Sequence, residues 1–304
     1  MAHPLARVRA LSPFVWRRDH NEFLRLFRTW FPVGHFYSPY PDLDEVQRRA
    51  DTIFDPEVEI AGVDLRESEQ VELLADLSGF MAAIAFPAQP NETHRYHLDN
   101  PAYGWTDGTV LHAMLRHIRP QRVIEVGSGY SSAMLLDTAD GWLDQGDRKV
   151  QIRFIEPHPQ LLHDLMRPGD EERTVIDARP VQDVPLDTFE SLRAGDLLFI
   201  DSTHVAKAGS DVNHLFFQVL PRLASGVWIH IHDIFMPFEY PHSWILEGRA
   251  WQEAYLLRAF LMYNDAYQIR WFQSFMWSRH PDLVTESIPG AANNLGGNIW
   301  LQKV

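Results

Sequence analysis

The sequence predicts an α/β fold, a parallel sheet with helices on both faces, preceded by an N-terminal helical cap. Three observations lead there. Short apolar strands alternate with helical stretches from about residue 122 onward. The first strand, with Val123, Ile124 and Val126, runs into a tight turn of Glu125, Gly127, Ser128 and Gly129. Four of the strands end in acids: Glu125, Glu156, Asp201 and Asp233. Such βαβ alternation implies a parallel sheet covered on both faces, and ligands of open sheets bind beyond the carboxyl ends of the strands.

Residues 1–95 read as the helical cap or lid and 96–304 as the α/β domain. Phe23, Leu26, Phe27, Trp30 and Phe31 recur at helical spacing. Pro32, Gly34, Pro39 and Pro41 break the next segment into an aromatic loop, whose His35, Tyr37 and Tyr40 either pack or line a pocket. Asp42 and Asp44 can cap a helix over 45–54, and a second helix fits 68–85, with Val71, Leu74, Leu77, Met81 and Ile84 on one face. The polar, proline-bearing stretch 87–100 reads as a junction.

A helix over 107–118, ended by Pro120, opens the main domain. Strands are expected at 122–126, 150–156, 174–177, 196–201 and 226–233, with a helix from Ser131 after the first and another over 211–223. A proline- and aromatic-rich loop, 234–244, then leads to a helix over 245–263. Two closing strands, 267–272 and 298–304, bring the sheet to seven.

Composition narrows the function classes. With 304 residues, 45% of them hydrophobic and 22% charged, the chain is ordinary for a globular protein. A net charge of −14, from 41 acidic and 27 basic residues, argues against nucleic acid as a partner. No cysteine is present, which excludes disulfides and thiolate metal sites. No apolar run approaches the roughly 18 residues of a membrane span, and the first twenty residues carry arginines but no apolar signal core. The expected location is cytoplasmic and the expected partner a small-molecule substrate, with no membrane involved. Oligomeric state is not legible.

The glycine turn opens a helix, which puts backbone N–H groups where a polar ligand can sit, and Gly127 and Gly129 lack the Cβ that would block its approach. A nicotinamide fingerprint wants a third glycine or an alanine, and Ser132 stands there instead. Glu156, at the end of the second strand, is placed to accept from both ribose hydroxyls of a nucleoside.

With EVGSGYS as a first motif, Glu156 as a ribose acid and DLLFID as a fourth-strand motif, residues 100–304 resemble the class I S-adenosylmethionine-dependent methyltransferases. The resemblance implies a Rossmann-like seven-stranded sheet whose sixth and seventh strands are antiparallel. It implies S-adenosylmethionine as cofactor, with Glu125, Gly127, Ser128 and Gly129 at its methionine part. Gln182 and Asp183 would lie near adenine, and Tyr103 and Asp107 would hold the amino-acid end or serve helix packing.

A second constellation joins FIDSTH, with Asp201 and His204, to IHIHD, with His230, His232 and Asp233. Alternation puts His230 and His232 on one face of their strand. Oxygen and imidazole together suit a divalent ion, which would lower the pKa of a substrate hydroxyl while a nearby base takes the proton. Here the chain resembles the metal-dependent small-molecule O-methyltransferases that act on catechols and macrolide sugars. That resemblance implies Asp201 and His204 as catalytic groups, His204 as base, and Asp201, His232 and Asp233 as metal ligands. His232 stands where an oxygen ligand is usual, which leaves magnesium, manganese or iron open, and also no metal.

The function expected is therefore O-methylation of a small hydroxylated metabolite or sugar. N-methylation, another histidine–carboxylate metal chemistry on the same fold, and a non-catalytic cofactor-binding module are the alternatives.

Overall fold

The computed structural model describes residues 31–147 and 149–304. The helical run expected at Phe23, Leu26, Phe27 and Trp30 lies outside the described residues. Contacts divide the chain into Met1–Arg49 and Ala50–Val304. In the first unit Asp42 caps the helix Leu43–Arg48, its Oδ1 accepting from the backbone N–H groups of Asp44 and Glu45 at 2.9 and 3.2 Å. Phe36, Tyr37 and Tyr40 of the aromatic loop are exposed.

The second unit is built on a seven-stranded sheet. In chain order its strands are β1 (Arg122–Val126), β2 (Gln151–Ile155), β3 (Thr174–Asp177), β4 (Leu197–Ile200), β5 (Trp228–His232), β6 (Tyr267–Phe272) and β7 (Asn298–Lys303). In space they run β3-β2-β1-β4-β5-β7-β6. The first five are parallel, and β7 inserts antiparallel between β5 and β6. All four residues of β4 and all five of β5 are buried, as expected where helices cover both faces. Because β1 pairs with both β2 and β4, the strand order reverses there. A crevice for ligands opens at the carboxyl end of such a reversal.

The helix Trp105–Ile118 is buried from Thr106 to Leu115 and packs between Glu67–Ala82 and Tyr130–Thr138. Within Glu67–Ala82 the buried face includes Leu73, Leu74, Leu77 and Met81. It also includes Gln70, whose Oε1 accepts from Phe272 N at 2.6 Å and so ties the helix to the end of β6. The polar stretch 87–100 is fastened rather than loose. The N–H groups of Arg95 and Tyr96 both donate to Asp137 Oδ2, and the Arg95 guanidinium reaches Asp137 and Asp170 at 2.6 Å.

The helix expected over 45–54 is two short ones, Leu43–Arg48 and Ala50–Ile53, and three later elements also differ from the sequence reading. The helix over 211–223 is α only at Asp211–His214 and continues as wider and then tighter turns to Arg222. Two helices, Gln273–Arg279 and Pro281–Ser287, fill the connection between β6 and β7. The helix over 245–263 is two, His242–Leu246 and Glu253–Leu261. Gly248 takes φ +92° between them, and the N–H groups of Gln252 and Glu253 donate to the His204 carbonyl at 3.0 and 3.1 Å. Those two bonds start the second helix against another part of the chain, where periodicity along one helix cannot reach. Among the described residues no helix is long and apolar enough to cross a membrane.

Candidate active site

At the carboxyl end of β1 the chain turns at Gly127, which has φ +84° and donates its N–H to the Ile155 carbonyl at 3.0 Å. A Cβ on Gly127 would fall on the Asp201 carbonyl oxygen, so the turn lies directly against the end of β4. Gly129 then precedes the helix Tyr130–Thr138, and its N–H donates to Ser132 Oγ at 3.0 Å. A Cβ on Gly129 would meet nothing closer than Leu161 Cδ2, at 3.3 Å.

Two polar side chains in this turn are left wanting. Glu125 is buried and accepts from Ser131 Oγ through Oε1, while its Oε2 and the Ser128 hydroxyl are buried without a partner. Burial, with the negative charges of Asp201 and Glu156 nearby, pushes the Glu125 carboxyl up to about 8.

The other expected cofactor residues fall around the same sheet edge. Glu156 follows β2 and accepts from His158 N at 2.7 Å. Gln182 and Asp183 occupy a short turn after β3, and Gln182 Nε2 donates to the Gly209 carbonyl at 2.8 Å. Tyr103 is buried with its hydroxyl unpartnered, its ring 4.9 Å from that of His232. Asp107 is already engaged, accepting from Gly297 N and Asn298 Nδ2 at 3.0 and 2.7 Å. It therefore fixes the start of β7 to the Trp105–Ile118 helix.

Adjacent strands bring the second constellation together. β4 delivers Asp201 and, three residues on, His204, while β5 delivers His232 and Asp233. His204 Nε2 lies 3.4 Å from Asp201 Oδ1 and 3.5 Å from Asp233 Oδ2. One potential ligand atom from each of the three lies within 4.8 Å of the others. Both His204 and Asp233 have left-handed backbones, φ +59° and +55°, a conformation that side-chain-bearing residues adopt mainly where surrounding structure imposes it.

His204 has a partner that sequence spacing did not suggest. Its Nδ1 lies 2.8 Å from Oε2 of Glu253, a side chain with no exposed surface. Trp251 packs on the same ring at 4.6 Å between centroids. Both come from the break that splits the 245–263 segment, and the only local sign of Glu253 is an acid at a helix start. Burial alone would lower the His204 pKa, but the contacts with Asp201 and Glu253 outweigh it and hold the imidazole well above its usual range. Burial likewise opposes ionisation of Asp201, yet the neighbouring His232 and His204 bring it down to about 2.

The remaining histidines separate. His230 is buried, stacks on Phe199 at 4.0 Å and has no polar partner, and burial holds it well below the usual histidine range. It is a packed, neutral ring. His232 Nε2 is 3.6 Å from Asp233 Oδ1, its Nδ1 is unpartnered, and it is not one of the three groups that converge.

The stretch from β1 to just past β5 matches a known family. A methyltransferase-domain model covers residues 124–234. An uncharacterized protein of Archaeoglobus fulgidus is 35% identical over 169 residues, which span 53% of this chain and 73% of that protein. The chain belongs to the class I S-adenosylmethionine-dependent methyltransferases. Among solved structures, the methyltransferase is similar to the SAH-bound methyltransferase PaMTH1 of Podospora anserina, at 16% identity and a TM-score of 0.42 over 91% of this chain and 99% of that one. It is also similar to an O-methyltransferase of Bacillus cereus in complex with SAH, at 14% identity and a TM-score of 0.41 over 86% and 97% of the two chains.

Proposed function

We propose that this methyltransferase moves the methyl group of S-adenosylmethionine to a hydroxyl of a small hydroxylated metabolite or sugar. The observation that carries the reading is the convergence of Asp201, His204 and Asp233 within 4.8 Å, directly beside the turn whose Gly127 packs on the Asp201 carbonyl.

The unpartnered Ser128 hydroxyl and Glu125 Oε2 fit a ligand that brings both an anionic and a cationic group, as the amino-acid end of the cofactor does. Gly127 and Gly129 would let that end approach the backbone, with Tyr103 and Asp107 in the same set. Glu156 would accept from the ribose hydroxyls, and Gln182 and Asp183 would flank adenine. Bound S-adenosylmethionine supplies a methyl carbon on a sulfonium, open to attack by an oxygen in line with the sulfur–carbon bond.

The chain's own task is then to align that oxygen and accommodate its proton. Asp201 and His204 would meet the acceptor hydroxyl. His204 can take a proton only when its Nε2 does not already hold one. A divalent ion (magnesium, manganese or iron) fits the carboxylate and imidazole donors and would supply charge that lowers the hydroxyl pKa. The acceptor is read as a free small molecule in the cytoplasm, since a net charge of −14 suits neither nucleic acid nor an anionic membrane surface.

Calorimetric titration with S-adenosylmethionine, with and without chelator, tests the cofactor. Labelled S-adenosylmethionine with a panel of hydroxylated and amine acceptors, read by NMR of the transferred methyl, tests the chemistry. An O-methyl product is expected. Methylation of amines alone, or no cofactor binding in either condition, overturns the reading.

A further inference from the structure

We propose that the hollow around Arg116 and Trp142, at the amino end of β1, is a second binding site, for a small oxyanion (a carboxylate or phosphate) carried on an aromatic body. The hollow holds about 350 Å³, enough for a ligand of that size. Arg119, which lines it, ends the helix Trp105–Ile118 just before β1 begins. It therefore lies at the opposite end of that strand from the Gly127 turn, and methyl transfer plays no part in it.

Charge is the first sign. In a chain with 41 acidic and 27 basic residues, Arg116, His117 and Arg119 line the hollow and, among the described residues, no Asp or Glu does. Basic residues in the last turn of a helix offset its dipole, which accounts for His117 and Arg119. Arg116 is held differently. Its side chain turns back along the helix, Nη1 reaching His112 Nε2 at 3.4 Å, and its guanidinium lies over the rings of Phe80 and Trp142 at 4.7 and 5.4 Å.

None of these three neighbours carries a negative charge. Burial, and then Arg116 itself, bring His112 down to about 3, so the ring is a neutral acceptor. Its Nδ1 lies 2.9 Å from Thr138 Oγ1, which fixes the hydrogen there and leaves the Nε2 lone pair for the arginine. Nε and Nη2 of Arg116 have no acceptor among the described residues. A guanidinium set against π faces and a neutral ring keeps both its field and its planar fork of N–H groups, which pairs two-to-two with a carboxylate or phosphate.

The aromatic side of the hollow is built by a rare turn. After Thr138 the helix widens into a π-type turn, Ala139–Leu143, which carries Trp142. Such insertions occur frequently at functional sites. His112 and Phe86 brace the Trp142 ring at 4.6 and 5.8 Å between centroids. Phe80 and Trp142 are both half-buried, so an aromatic ligand finds apolar surface beside the cation.

The test is calorimetric titration of the full chain with phenyl phosphate, benzoate and inorganic phosphate at low salt, with and without saturating S-adenosylmethionine. Phenyl phosphate is expected to bind at least about threefold more tightly than inorganic phosphate. Arg116→Gln should weaken the aromatic anions by about tenfold or more, and Trp142→Leu by about 3–10-fold. Arg249→Gln should leave them unchanged, because Arg249 also lies over a tryptophan, Trp244 at 4.1 Å, but pairs with Glu247 at 3.2 Å. Arg116→Lys keeps the charge without the fork; it is expected to weaken binding too, and replaces the glutamine variant if thermal melting shows that one unfolded.

The tighter of phenyl phosphate and benzoate assigns the oxyanion. No binding of either by the wild type at millimolar concentration overturns the proposal, as does wild-type affinity in a folded Arg116 variant. Displacement by S-adenosylmethionine also overturns it, since the anion would then occupy the cofactor crevice. Inorganic phosphate binding as tightly as phenyl phosphate removes the aromatic body from the ligand.

Discussion

His204 Nδ1 lies 2.8 Å from Oε2 of Glu253, across 49 residues of chain and without exposure of the carboxylate to solvent. The pair joins the loop after β4 to the start of a helix beyond β5, and the His204 carbonyl accepts the first N–H groups of that helix. One residue therefore anchors the break through both its side chain and its backbone.

The two partners are not equivalent, and substitution should reveal it. His204→Ala leaves Glu253 buried with no other polar partner among the described residues, whereas Glu253→Ala leaves His204 with Asp201 and Asp233. Urea unfolding is expected to show a loss of about 3–5 kcal/mol for the first and about 2 kcal/mol for the second. Equal losses would mean that the carboxylate does not depend on the imidazole.

Glu125 sets a pH dependence. Its folded pKa is raised from 4.5 to about 8, chiefly by burial, so the folded state holds a proton that the unfolded chain releases. Stability should therefore fall as pH rises through that window, by about 1.4 kcal/mol per pH unit from this group. Glu125→Gln removes the contribution, and the difference between the two stability curves from pH 4.5 to 8 measures it.

The two glycines of the turn should respond differently to alanine. Gly127→Ala places a Cβ on the Asp201 carbonyl and forces a left-handed backbone on alanine. It is expected to lower the melting temperature as well as cofactor affinity. In Gly129→Ala the nearest neighbour is a flexible Leu161 methyl at 3.3 Å. That variant should keep its stability to within about 1 kcal/mol and lose affinity for S-adenosylmethionine, as calorimetry would show.

Arg95 is the counterpart in the scaffold. Its buried guanidinium pairs with Asp137 and Asp170 at 2.6 Å and with Asp140 at 2.8 Å. Arg95→Ala takes the only buried guanidinium from Asp137 and Asp170, leaving Asp137 with backbone N–H donors and Asp170 with Arg167 N and Arg173, and is expected to cost about 3 kcal/mol, read as a lower urea midpoint. A midpoint unchanged from wild type would mean that water replaces the guanidinium freely.

Much of the scaffold was legible before any coordinates. β1, β3 and β6 have the expected boundaries, because each is a short run rich in strand-forming residues. The meeting of Asp201 and Asp233 was also readable, since acids ending neighbouring parallel strands emerge at one edge. The alternation that grouped His230 with His232 could not say that His230 would be sealed between Phe199 and Trp300.

By itself, then, the sequence determined the seven strands, several of the helices, the glycine turn against the sheet and the family. These depend on periodicity and on the conformational freedom of single residues, which act over a few positions. Only the tertiary structure decided that Asp107 would hold β7, that Gln70 would bind the end of β6, and that Glu253 would stand behind His204. Such contacts join groups far apart in the chain. The burial that makes them strong exists only once helices and sheet have packed.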